Sequence, residues 1–221
     1  MNVYLEIGEK RTFAAALDWP GWSRNGKDEA VALQTLLDYG PRYARAIASA
    51  RLAFVVPESI HALTVVERLV GNVGTDFGAP NVAPSADDAP VAEAELERFQ
   101  AVLQAMWGSF DATIKIAEGR ALRTGPRGGG RDLDKIVEHV FEAELAYLNR
   151  LGGALSVNDK KAGPPQGLVH CARQSSTVSA PQPGASCHVK DRAAGSAGRR
   201  AAMCGTLHGT CSTTTGRSKI A

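Results

Sequence analysis

The sequence predicts an α+β protein: a small antiparallel sheet with helices on one face, then an incomplete four-helix bundle and a disordered tail. Three observations carry this. Short β-branched and aromatic runs occupy the chain up to about residue 71, and apolar residues at 3–4 spacing run from about 89 to 150. Aromatic residues then stop at Tyr147. The expected division is an α+β domain over 1–71, a linker over 72–88, a helical hairpin over 89–152 and a tail over 153–221. A length of 221 residues accommodates two domains of about 100 residues each.

Val3–Ile7 and Thr12–Leu17 read as two strands joined by a turn at Gly8-Glu9-Lys10. Asp18-Trp19-Pro20-Gly21-Trp22 reads as a tight turn, because Pro20 presets its own φ and Gly21 is free to take a positive one. Asn25–Glu29 opens a helix with its acids in the first turn, where the dipole favours them. Ala30, Leu33, Leu36 and Leu37 supply its buried face. Gly40-Pro41 is expected to break it, with Pro41 starting a second helix to about Ala50. Ala62–Val70 is β-branched enough to return as a strand.

The run Ala15–Ala30, with Asp18-Trp19-Pro20-Gly21 leading to Gly26-Lys27-Asp28-Glu29-Ala30, resembles the HicB-like module. That family's pattern is a strand, a D-x-P-G turn, an acidic helix start and a small partial RNase-H-like fold. The similarity covers about residues 3–70. It departs at Trp22, where the family has a small residue or Cys. The resemblance implies a regulatory or protein-binding module with no catalysis. Trp19 and Trp22 then have two readings, partner-binding aromatics or caps on the core, and the second is the commoner role of paired Trp around a turn.

Asn72–Pro90 is rich in Gly, Pro, Ser and Asp and reads as the linker. From about 89 to 118, Leu96, Phe99, Leu103, Met106, Phe110 and Ile114 trace a bundle seam, and Gly119 follows as a C-cap. Gly125–Arg131 is a glycine-rich loop entering a helix, but it lacks the G-K-[ST] ending of a phosphate loop, so a hairpin connection is expected. The helix over 132–150 is apolar along Leu133, Ile136, Val137, Val140, Phe141 and Leu148. It carries His139 among Glu138, Glu142 and Glu144; a lone His in such a place is usually a packed or exposed residue.

Charge divides the chain unevenly. Residues 1–162 hold 18 basic against 22 acidic residues, and residues 163–221 hold 7 against 1. The basic balance therefore belongs to the tail, and nucleic acid is not an expected partner. No apolar run reaches 18 residues and Met1–Glu6 has no signal-like pattern, so cytoplasm is the expected location and no membrane partner is expected. All four cysteines (Cys171, Cys187, Cys204, Cys211) lie in the tail without a C-x-x-C pair, so they are read as incidental. With no aromatic residue and no period, the tail lacks the apolar surface to offset the entropy of ordering it.

The tail also reads as translation in a shifted frame. The frame change is expected between Leu155 and Asp191. Reading the last two bases of each shifted codon from Asp191–Ala221 permits P-R-G-G-K-R, repeating Pro126–Arg131, followed by an amphipathic and aromatic helix that contains H-V-L-D-H. That restored helix, with His139 before it, resembles DinB-like proteins, a family of metal-binding four-helix bundles. The resemblance implies that His139 is one ligand and the restored i,i+4 pair supplies two more, an open site for zinc, nickel or manganese. In the chain as it stands only His139 is present.

Two functions follow as expectations. The first is a DinB-like divalent-metal bundle of hydrolase or thiol-transferase type, with its site incomplete in this chain. The second is a HicB-like regulatory module that binds a protein partner or forms a homodimer.

Overall fold

The computed structural model describes residues 1–122 and 132–150. Four strands form one sheet in the order β3-β2-β1-β4: β1 Asn2–Ile7, β2 Thr12–Ala16, β3 Ser23–Gly26 and β4 Thr64–Val70. β1 and β2 pair antiparallel from Val3↔Ala16 to Ile7↔Thr12, and β2 pairs antiparallel with β3. Trp19–Trp22 makes the expected turn between β2 and β3. Trp22 N donates to Trp19 O at 3.1 Å, and Gly21 has φ +86°, which an L side chain would resist.

The expectation of an antiparallel sheet fails at β4, which lies parallel to β1. A helix separates β3 from β4, and such a crossover delivers the chain back in the direction of β1. The start of β4 is set by Met1, whose amine donates to Ala62 O at 2.6 Å and whose carbonyl accepts from Thr64 N at 2.9 Å.

That helix, α1, runs Glu29–Ala46, with Asp28 accepting from Val31 N at 2.8 Å as its N-cap. It is one helix, where a break at Gly40-Pro41 was expected. Pro41 removes a single backbone bond, at a cost of about 3 kcal/mol. Continuing instead buries Tyr43 and Ile47, which contributes roughly 5 kcal/mol. Gly40 permits the approach: a Cβ there would lie 2.9 Å from Val56 Cγ1.

The core between sheet and α1 holds Val3, Leu5, Ala14, Ala16, Trp22, Leu36 and Tyr43. Trp22 is fully buried, donates its indole N–H to Leu36 O at 2.9 Å and stacks with Tyr43 at 6.0 Å. Trp19 packs edge-on against Phe54 at 4.9 Å. Trp22 therefore lies in the core and the half-buried Trp19 packs against it, as the cap reading expected.

The segment expected as a linker is ordered and tied to the sheet. It holds α2, Val73–Phe77, and a 3-10 turn at Ser85–Asp88. Glu6, buried on the other face of β1, accepts from Thr75 Oγ1 at 2.5 Å, Asn81 N at 3.1 Å and Val82 N at 3.1 Å. Buried acceptors demand partners, and this one takes them from the following segment.

Two long helices follow, α3 Glu93–Ala117 and α4 Leu133–Arg150. Gly119 has φ +69°, the left-handed residue expected after α3. Val102, Leu103 and Ala105 of α3 join the sheet core, whereas Phe110 and Ile114 pack with Val137, Val140, Phe141 and Leu148 of α4 in a second cluster. No helix among the described residues is long and apolar enough to cross a membrane. The glycine-rich loop, the four cysteines, and the tail expected to be disordered and frame-shifted lie outside the described residues.

Candidate functional site

His139 sits on the first half of α4, a helix whose start is set by Asp132. The Asp132 carboxylate accepts from Lys135 N at 2.9 Å and pairs with Lys135 Nζ at 3.0 Å; the first of these contacts does most to hold it below the usual carboxylate range. His139 is half-buried between exposed Glu138 and buried Val140, with Glu142 exposed one turn on. Among the described residues no group of three His, Cys, Asp or Glu side chains is placed to hold a metal ion. His139 therefore belongs to no three-ligand set among the described residues. The two further ligands expected from a shifted frame are not residues of this chain.

Glu144 behaves differently from the acids around it in sequence. It is 3% exposed, and burial pushes its carboxyl up to about 8 from an ordinary 4.5. The Trp107 indole opposes that shift, yet Trp107 Nε1 is buried with no hydrogen-bond partner. A formed N–H···O bond would satisfy the indole, so the pair is a near contact and not a bond.

A second candidate surface lies along β4 and α2. β4 is the last strand of the sheet, and no further strand among the described residues pairs with its outer edge. Val70, Val73 and Phe77 are 87%, 86% and 84% exposed. They stand on a fixed frame. Asn72 and Thr75 form a capping box at the start of α2, and Gly78 closes its end at φ +110°. Asp76 accepts from Lys10 N at 2.8 Å, binding α2 to the β1–β2 turn.

The two charges of β4 are both engaged. Arg68 makes a two-pronged bond to Glu29 of α1, Nε to Oε2 at 3.0 Å and Nη2 to Oε1 at 2.6 Å, which raises its pKa. Glu67 accepts from Ser85 N at 2.9 Å and from Ser85 Oγ at 3.0 Å.

Sequence reasoning missed Phe77 and Val73 because Gly- and Pro-rich composition marked their segment as a linker. The signal was the pair itself, two large apolar residues four apart in a polar stretch. No protein-family model matches the chain, nor does any curated protein or solved structure. None of these comparisons identifies a HicB-like or DinB-like module.

Proposed function

We propose that this chain is a non-catalytic protein-binding module, and that a second copy of the chain covers its β4 edge and the exposed side chains of α2. The observation that carries the reading is an unblunted edge strand flanked by Val70, Val73 and Phe77, all exposed. Proteins commonly protect an edge with Pro, Lys or an unpaired charge. β4 (TVVERLV) has no Pro or Lys, and Glu67 and Arg68 are spent on Ser85 and Glu29. Because Arg68 is neutralised within its own chain, two identical edges approach without like-charge repulsion. Antiparallel pairing of one edge with its copy gives the self-complementary, closed interface of a two-fold dimer.

Light scattering on the full chain at tens of micromolar tests this. The expected mass is that of a dimer, and Phe77→Asp or Val70→Lys should give a monomer with unchanged circular dichroism, because both side chains are exposed. A wild-type monomer, or a dimer indifferent to both changes, would overturn the reading; the monomer outcome leaves a different protein as the occupant.

The second reading is the divalent-metal bundle, favoured by one feature, the half-buried His139 beside the α3–α4 cluster. Zinc, nickel or manganese content of the frame-restored protein and of its His139→Ala variant tests it. Equal metal in both removes His139 from any site.

A further inference from the structure

α4 is held on α3 by a small apolar cluster, Val137, Val140, Phe141 and Leu148 against Phe110 and Ile114. Glu144 belongs to the same face: it follows Val140 by four residues and precedes Leu148 by four, which on a helix is one stripe. Its carboxyl is shut away from water, and the polar group that acts on it, the Trp107 indole N–H, makes no hydrogen bond. Among the described residues, neither a cation nor a formed bond from the Trp107 indole compensates a negative charge at this point. None of the charged side chains of α3 (Glu93, Glu95, Glu97, Arg98, Asp111 and Lys115) adds to the shift at Glu144, and neither do Asp134, Lys135, Glu138, His139 or Glu142 of α4. Asp111 and Lys115, on the turns after Trp107, act on each other.

We propose that Glu144 is a proton-held latch: α4 packs on α3 while this carboxyl keeps its proton and loses its seat as the proton leaves, with the sheet and α1 unaffected. Burial supports the direction. The docked carboxyl titrates near 8, and once α4 is released it returns to an ordinary 4.5. A raised acid pKa means docking is at full strength below 4.5, erodes as pH rises from 4.5 to 8, and loses nothing more above 8. Each pH unit in that window multiplies the opening equilibrium by about ten. Release would uncover Phe110 and Ile114 on α3 together with Val140 and Phe141 on α4.

Amide exchange of the full chain between pH 5 and 8.5, corrected for intrinsic rates and referenced to α1 in the same sample, tests the latch. Protection of α4 should fall by about tenfold per pH unit up to about pH 8 and then level off while that of α1 holds, and Glu144→Gln should make α4 protection independent of pH. If Glu144→Gln fails to fold, Glu144→Leu serves the same purpose, since it fills the apolar site without a proton to lose. Flat α4 protection in the wild type, a fall that persists in the variants, or a fall shared by α1 would each overturn the proposal.

Discussion

Glu6 holds the segment after β4 against the sheet, and Glu6→Gln isolates what that contributes. The shape is kept and one acceptor becomes a donor. Oε1 of Glu6 accepts from Thr75 Oγ1 and Asn81 N, and Oε2 accepts from Val82 N. Thr75 is able to reverse its hydroxyl, but a backbone N–H is not. Whichever way the new amide turns, its NH2 group confronts either Asn81 N–H or Val82 N–H. The loss of one hydrogen bond is about 1 kcal/mol and an unpaired buried donor adds roughly 1–3 kcal/mol, so the expected destabilisation is about 2–4 kcal/mol. With a urea m-value of about 2 kcal/mol/M, the midpoint should fall by roughly 1–2 M at unchanged m. Protease cleavage within residues 72–88 should rise in parallel, because these bonds tie that segment down. A midpoint shift under about 0.3 M, or a shift without new cleavage there, would refute the reasoning.

Two other substitutions have defined outcomes. Trp22→Phe removes the bond to Leu36 O and leaves a void beside Tyr43 and Phe54; thermal or urea unfolding should show a loss of about 2–4 kcal/mol. Gly26→Ala places a Cβ 2.4 Å from Ala32 N and 2.6 Å from Val31 C, backbone atoms that cannot swing aside, so β3 must part from α1. Its expected cost is about 2 kcal/mol or more, read by denaturant unfolding, and a neutral result would mean that β3 and α1 do not pack as described.

The sequence showed elements well where the signal was local. The strands β1, β2 and β4, the Pro20-Gly21 turn and the long helices were all legible from alternation, turn chemistry or 3–4 spacing. Features set by distant partners were not. Ser23–Gly26 has almost no intrinsic strand preference and is a strand because β2 pairs with it. The parallel entry of β4 depends on a crossover, and the continuity of α1 through Pro41 depends on the burial of Tyr43 and Ile47. Glu6 was a visible clue, one acid in an otherwise apolar strand, but its partners lie about seventy residues away. Glu144 was equally visible in principle. Glu138 and Glu142 fall on the outer face of α4, whereas the count of four from Val140 and to Leu148 puts Glu144 on the inner one. Grouping the three acids around His139 hid the only one of them that is buried.

α3 gives the molecule its mechanical logic. At 25 residues it is roughly 37 Å long, more than the sheet core covers. Its first half is seated by Val102, Leu103 and Ala105, so it stays in place whatever α4 does. Its second half carries Phe110 and Ile114 into the cluster that α4 completes, and Glu144 lies in that same interface. Loss of α4 is then a local event, costing one small cluster while the main core keeps its own contacts. The residues of the β4–α2 surface, Val70, Val73, Phe77 and the Glu29–Arg68 pair, include none of those in the α3–α4 cluster. Sites without shared partners perturb stability additively. Phe77→Asp should accordingly leave the pH profile of α4 exchange unchanged, and Glu144→Gln should leave the mass in solution unchanged. Coupling between the two would mean that the dimer face reaches α4, and the edge of β4 alone would no longer explain self-association.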